Sequence, residues 1–311
     1  MLARRVTPLA LAVSAILLAS ACSSTTSTDP ESPAGQIAVA AAFYPLQYAV
    51  EQIGGDHVHV MPLTRPGTEP HELELTPREV VGLHKAALVV YERGFQPAVD
   101  TAVDQLDKGV GFDVSPAAHL DLRATAQPGE AESSGGNGAK DPHFWLDPGR
   151  YAAVVTAVGA ELAVKDPVHA STYSRNTTAL VDRLTALDGD FLAGLKDCRL
   201  KDIVTGHAAF GYLAQRYGLT QVAVNGISPD AEPTAAAMAD IVARIKEHHV
   251  STVYAETLVS PALVDTIAHE TGATVRVLDP VEGITSASAG TDYLRVMQAN
   301  LATLRAGQQC P

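Results

Sequence analysis

The stretch DPVHASTYSRNTTALVDRLTALDGDFLAGLK, residues 166–196, separates two halves of this chain and decides how it folds. Pro167 follows Asp166, as is typical of the first helical position, and apolar side chains then recur at the spacing of one helix face. These positions are Tyr173, Leu180, Leu184, Leu187, Phe191 and Leu195. A helix from Pro167 to Lys196 would extend about 45 Å at 1.5 Å per residue. We therefore predict one long helix that bridges two domains.

On both sides of this helix, β-rich runs alternate with helical patterns. The runs of the first half are Gln36–Ala42, Val58–Leu63, Ala87–Tyr91 and Val110–Val114. Those of the second half are Asp202–Thr205, Gln221–Val224, Thr252–Ala255 and Thr274–Leu278. Strand–helix alternation is typical of parallel sheets, and a body of about 275 residues exceeds what one core usually serves. We predict an α/β fold of two Rossmann-like lobes with parallel sheets, residues 36–165 and 198–311, joined by the helix of residues 166–197.

The beginning of the chain indicates where the protein works. Arg4 and Arg5 precede the apolar run Pro8–Ala19, which is too short to span a membrane, and small residues then lead to Cys22. We interpret residues 1–22 as a lipoprotein signal, cleaved so that Cys22 carries lipid, with plain secretion as the alternative. Residues 23–35 are rich in Ser, Thr and Pro and predict a flexible tether. The folded body would then be extracytoplasmic and anchored to the cell membrane.

The charge argues against one class of partner. The chain has 22 basic and 35 acidic residues, a formal net charge of −13, and losing Arg4 and Arg5 with the signal would leave −15. Such acidity excludes nucleic acid as the expected partner.

Cysteine usage predicts one covalent link. Cleavage leaves Cys198 and Cys310 as the two cysteines of the folded part. In an oxidising compartment two such residues are more often paired than free. We predict a Cys198–Cys310 disulfide, with metal ligation as the minor alternative.

Four separated side chains form a candidate metal site. His71, His207 and Asp279 follow predicted strands, and carboxyl ends of parallel strands are where open α/β sheets bind ligands. His143 precedes the helix that Asp147 opens. Two candidates come from each half, so we expect them to meet in the interdomain cleft. Three neutral imidazoles and one carboxylate form a tetrahedral set suited to zinc.

The segments around these residues resemble the metal-binding lipoproteins of bacterial zinc and manganese ABC importers. The resemblance covers the chain from about residue 36 to the end. Its motifs are Ala42-Phe43-Tyr44-Pro45-Leu46, Ile53-Gly54-Gly55-Asp56, Pro66 to Pro77, Pro142-His143-Phe144-Trp145-Leu146-Asp147-Pro148, His207-Ala208-Ala209-Phe210-Gly211-Tyr212 and Val277-Leu278-Asp279-Pro280.

The resemblance implies a monomeric metal-binding component that delivers Zn²⁺ to a cognate permease and ATPase. It implies ligands at His71, His143, His207 and Asp279, and an acid near the site at Glu256. Manganese-carrying members usually have Glu at the third ligand position, so His207 favours zinc. Many zinc members have a histidine-rich loop before the second ligand, whereas residues 127–140 contain no histidine, which leaves manganese as an alternative.

Two other functions are less consistent with the sequence. A metallohydrolase needs an open coordination position and a general base, and the chain has no HExxH, Gly-x-Ser-x-Gly or phosphate-loop motif. A surface adhesin would fit the lipid anchor but would leave the internal ligands without a role. We therefore expect a binding protein and not an enzyme.

Overall fold

The computed structural model of this protein describes residues 35–123, 140–229 and 233–311. The predicted signal with Cys22, and the tether up to residue 34, lie outside the described residues. The same holds for residues 127–139 of the histidine-free loop.

The described strands form two parallel sheets of four strands each, one in each half of the chain. The first sheet contains β1 (Ile37–Ala41), β2 (Val58–Pro62), β3 (Leu88–Tyr91) and β4 (Gly111–Asp113). The second contains β5 (Asp202–Thr205), β6 (Thr220–Ala223), β7 (Thr252–Ala255) and β8 (Thr274–Val277). The strand order is β2-β1-β3-β4 in the first and β6-β5-β7-β8 in the second, so both sheets share one topology. This confirms the predicted α/β class.

Helices connect the strands in both halves. The first half has α1 (Tyr44–Gly54), α2 (Pro77–Lys85), α3 (Pro97–Val103), α4 (Ser115–Ala118) and α5 (Pro148–Lys165). The long helix α6 (Ala170–Leu195) follows. The second half has α7 (Gly211–Tyr217), α8 (Ala235–Glu247), α9 (Ala262–Thr271) and α10 (Tyr293–Gly307). The short helix α4 was not predicted.

Strand burial explains why the parallel sheets could be predicted. All residues of β3, β5 and β7 are buried, as expected where helices cover both faces of a parallel sheet. In contrast, all four residues of β8 at the edge of the second sheet are exposed.

Helix α6 joins the two halves as predicted. Its buried residues are Tyr173, Leu180, Leu184, Leu187, Phe191 and Leu195, the six apolar positions of the sequence pattern. The helix begins at Ala170 and not at Pro167, because Pro167–His169 forms a separate 3-10 turn. The apolar face of α6 belongs to a hydrophobic core that contains residues of both halves.

The two sheets are therefore parts of one compact unit, which contains all the described residues. Side chains of the second half bind the backbone of the first: Tyr212 Oη donates to Asp141 O at 3.0 Å and Tyr293 Oη to Trp145 O at 2.5 Å. In the opposite direction, Trp145 Nε1 donates to Pro280 O at 2.8 Å. These buried bonds join the segment around His143 to the second half.

The predicted disulfide between Cys198 and Cys310 is present, and it spans 112 residues of sequence. It fixes the C-terminal tail beside the start of β5, where backbone bonds from Arg199 and Leu200 to Gln309 and Gln308 also hold it. Among the described residues, no helix combines the length and apolar character that a membrane span requires.

We predict that Cys198→Ser/Cys310→Ser lowers the free energy of unfolding by about 2–5 kcal/mol, because the unfolded chain regains the freedom of a long loop. Urea denaturation of the metal-free protein measures this loss. Reduction of the unchanged protein should shift the transition equally, and an unshifted transition after both treatments would contradict the prediction.

Candidate metal site

His71 lies in the connection between β2 and α2. The carboxylate of Glu69 accepts hydrogen bonds from the backbone N–H of His71 at 2.9 Å and of Glu72 at 3.3 Å. Helix α2 then begins with a capping box, in which Thr76 and Glu79 satisfy each other's backbone N–H groups. The connection that carries His71 is therefore fixed at its tip and at its end.

His143 is fully buried in the segment that precedes α5. Asp141 Oδ1 accepts from the backbone N–H of His143 at 2.9 Å and lies 2.8 Å from its Nδ1. A carboxylate can only accept, so in the neutral imidazole Nδ1 carries the proton and the lone pair is on Nε2. The segment continues into α5, whose first turn is capped by the side chain of Asp147.

His207 follows β5 and is also fully buried. Glu256, after the neighbouring strand β7, accepts from the backbone N–H of His207 at 2.8 Å and lies 2.5 Å from its Nδ1. A β-carbon at Gly206 would stand 2.7 Å from Glu256 Oε1, so glycine at this position gives the carboxylate its space. Glu256, expected near the site, thus contacts His207 directly, and in the neutral imidazole it places the proton on Nδ1 and the lone pair on Nε2.

The nitrogen atoms of the three histidines converge on one oxygen of Glu282. Glu282 Oε1 lies 3.1 Å from His143 Nε2, 3.3 Å from His207 Nε2 and 3.5 Å from His71 Nε2. The Nε2 atoms of His71 and His143 are 3.3 Å apart, and all four donor atoms lie within 4.8 Å of one another. Glu282 is 1% exposed, and it lies in the connection between β8 and α10.

The fourth residue expected from the sequence requires a correction. Asp279 does not belong to this group, and Glu282 takes its place three residues later. The physical reason is local: Asp279 Oδ1 accepts from the backbone N–H of Val281 at 2.8 Å, so its side chain bends back onto its own turn. Glu282 stands in no ligand-like sequence motif, so it was not predicted as part of the site. The one sequence signal for Glu282 was that it lies in the β8–α10 connection, which also contains the predicted ligand Asp279.

The donor separations fit a small metal ion. Four donors at 2.0–2.1 Å from a central ion lie about 3.3–3.4 Å apart in a regular tetrahedron. The four separations given above, 3.1 to 3.5 Å, are close to that value. Four of the six separations among these three nitrogens and one oxygen thus match a tetrahedral site, and the other two lie within 4.8 Å.

Electrostatics in the cluster reflect its burial and its mixed charges. Burial lowers the pKa of His71. At His207 the same effect of burial is outweighed by the carboxylates of Glu256 and Glu282, and its pKa is raised well above the ordinary value. Burial alone would raise the pKa of Glu282, but the imidazoles prevail and hold it well below its usual range. Glu282 is therefore ionised, and its carboxylate oxygen can donate an electron pair to a metal ion.

This chain is similar to known zinc-binding and zinc-uptake proteins. The chain is 34% identical over 278 residues to the zinc-binding lipoprotein AdcA of Streptococcus pneumoniae, which covers 87% of this chain and 56% of AdcA. It is 32% identical over 297 residues to the high-affinity zinc uptake system protein ZnuA of Bacillus subtilis, with 93% of each protein covered. The crystal structure of the Zn(II)-bound ZnuA-like domain of S. pneumoniae AdcA matches with a TM-score of 0.72 and 34% identity, covering 88% of this chain and 99% of that domain.

The chain thus spans about half the length of AdcA, and nearly all of its ZnuA-like domain. Residues 39–307 match the family described as zinc-uptake complex component A, periplasmic. That span includes both sheets except the first two residues of β1, as well as α6 and all four residues of the cluster. The chain therefore belongs to the periplasmic zinc-uptake component A family.

Proposed function

We propose that this protein captures Zn²⁺ outside the cytoplasm and delivers it to the permease of an ABC importer. The observation that carries the proposal is the buried group of three imidazole nitrogens and one carboxylate oxygen, in which four of the six separations match a tetrahedral site. AdcA is named a zinc-binding lipoprotein and the B. subtilis relative a zinc uptake protein, which supports zinc as the cargo.

The proposed ligands are His71, His143, His207 and Glu282. Zn²⁺ accepts nitrogen and oxygen donors in tetrahedral sites, whereas Mn²⁺ is better served by oxygen-rich sets. Asp141 and Glu256 fix the Nδ1–H tautomers of two ligands and raise the basicity of the nitrogen that faces the metal. The metal and Glu282 together would keep a charge of about +1, which these two carboxylates offset.

The arrangement supports binding without catalysis. Catalytic zinc sites keep a coordination position open for water, while four protein donors close the coordination sphere. A cavity of about 90 Å³ reaches Glu282 between residues 64–66 and 282–284, with Tyr44 at its side.

The sequence and the names of the relatives support a location outside the cytoplasm. We propose that Cys22 is lipidated and anchors the body to the membrane, in keeping with the lipoprotein name of AdcA. All four proposed ligands come from one chain, so a monomer holds a complete site. The permease and its ATPase are the proposed partners, because the family is described as a component of a zinc-uptake complex.

We predict that the metal-stripped protein binds one Zn²⁺ per chain, and that excess Mn²⁺ does not displace it, because three of four donors are imidazoles. Competition titration with elemental analysis measures both quantities on the chain from Gln36 onward. Glu282→Ala should weaken binding. Preference for Mn²⁺ would assign the chain to manganese uptake, and absence of stoichiometric metal would refute the proposal.

We predict that zinc affinity falls steeply on acidification, because protons and zinc compete for the same imidazole nitrogens. The pKa of His207 and of His143 is raised in the metal-free site, since carboxylates outweigh burial at both, so competition begins above the ordinary imidazole pKa of about 6.5. Each imidazole that must lose a proton contributes about tenfold per pH unit below its pKa. Chelator competition between pH 7.5 and 5, corrected for the chelator's own protonation, measures the slope, and a flat profile would exclude a histidine-dominated site.

We predict that Glu256→Gln lowers zinc affinity by about 10- to 100-fold, because Glu256 accepts from His207 at both oxygens, whereas the neutral amide has one acceptor oxygen and polarises the ring less. The matched control is Glu247→Gln, which removes one charge from an exposed position at the end of α8. Isothermal or chelator titration of both variants tests the effect. Equal affinities for the two variants would mean that Glu256 does not act on the metal.

A further inference from the structure

The turn that carries Glu282 has an unusual backbone. Val281 has φ of 57° and is fully buried. In this left-handed region a side chain branched at Cβ is a genuine outlier, and such conformations persist only where their surroundings impose them. The other described non-glycine residues with positive φ are His119, His249 and Gln309, none of which is β-branched. The outlier directly precedes a proposed ligand.

Each residue of the turn before Glu282 is held by a buried hydrogen bond. Asn300 on α10 accepts from Asp279 N at 3.0 Å and donates to Asp279 O at 2.7 Å. The indole of Trp145 donates to Pro280 O at 2.8 Å. The carboxylate of Asp279 accepts from Val281 N at 2.8 Å. This last bond is the contact that holds the N–H of the strained residue.

Burial of the Asp279 carboxylate destabilises the folded state. Asp279 is 2% exposed, and its Oδ2 makes no hydrogen bond of ordinary geometry, although the hydroxyls of Ser288 and Thr257 lie near the carboxylate. Burial raises the pKa of its carboxyl group. A buried carboxylate with an incompletely satisfied oxygen and a strained residue beside it both destabilise the fold, and such features persist mainly at functional sites.

The same local device occurs at two other proposed ligands. In Glu69-Pro70-His71 and Asp141-Pro142-His143, an acidic side chain accepts from the backbone N–H two residues later, at 2.9 Å in each case. Asp279-Pro280-Val281 repeats this sequence pattern and this bond. Asp279 therefore corresponds to Glu69 and Asp141, the acids that orient the ligand segments. It does not correspond to the histidines of those segments.

We propose that Asp279 is a positioning residue that holds Val281 in its left-handed conformation and thereby aims the Glu282 carboxylate at the three histidines. The inference rests on the proposed function, since it assigns a role within that metal site. With φ of Val281 in the ordinary negative range, the chain would leave the turn in another direction. Glu282 Oε1 would then lose its separations of 3.1 to 3.5 Å from the imidazole nitrogens.

The first experiment removes the acceptor. We expect Asp279→Ala to weaken zinc binding by about 10- to 100-fold, the usual effect of losing a residue that orients a ligand. We expect Asp279→Asn, which keeps an acceptor oxygen, to recover most of that loss. The matched control is Asp292→Ala. Asp292 lies in the same β8–α10 connection, and its carboxylate accepts from the backbone N–H of Arg295 in the first turn of α10. This variant should leave zinc affinity unchanged.

The second experiment separates positioning from general structural damage. In a Glu282→Ala background the ligand is already absent, so Asp279→Ala should lower affinity no further. Glycine tolerates positive φ, so Val281→Gly should suppress the effect of Asp279→Ala, whereas Val281→Ala, which also loses the side chain but keeps a Cβ, should not. Should Asp279→Ala fail to fold, Asp279→Leu removes the acceptor without leaving a cavity and takes its place in both comparisons.

The outcomes distinguish this inference from the proposed function. Wild-type protein that binds no zinc refutes the proposed function, and this inference with it. Wild-type protein that binds zinc no more tightly than Asp279→Ala leaves the function intact and overturns the inference. An effect of Asp279→Ala that persists undiminished in the Glu282→Ala background also overturns it.

Discussion

The close approach of one carboxylate oxygen to three imidazole nitrogens constrains how the two halves of the chain are placed relative to each other. His71 and His143 come from the first half of the chain, and His207 and Glu282 from the second. A carboxylate as deeply buried as Glu282 would be costly alone, and the imidazoles compensate for it. The cluster therefore requires both halves in register. Helix α6 and the buried bonds to the Asp141–Trp145 segment supply that register.

Much of the fold could be predicted because its signals are local. Strands β5 and β7 were predicted to the residue, since a fully buried parallel strand is a short apolar run between polar neighbours. The apolar stripe of α6 was predicted in full for the same reason. The start of that helix was predicted three residues too early, because Pro167–His169 forms a 3-10 turn. Residue propensities do not distinguish such a turn from the first turn of an α-helix.

Part of the candidate site could likewise be predicted from local sequence signals, and part could not. The three histidines could be found because each stands in a short motif after a strand or before a helix, and the structure brings them together. The fourth donor could not, because the choice between Asp279 and Glu282 depends on the φ angle of Val281. A β-branched residue is expected in extended backbone, so no sequence rule assigns it a left-handed conformation.

The acid–proline–x pattern shows why the ligand segments are rigid before any metal arrives. Proline fixes its own φ near −65° and restricts the residue before it to extended backbone, so the acidic side chain reaches the N–H two residues on at little entropic cost. His207 lacks this pattern, and a remote acid, Glu256, binds its N–H instead, which requires Gly206 to have no Cβ. Local and remote acids thus serve the same purpose. Each proposed ligand, or the residue just before it, has its backbone N–H bound to a carboxylate, so the donor atoms are positioned by the backbone and not by side-chain packing alone.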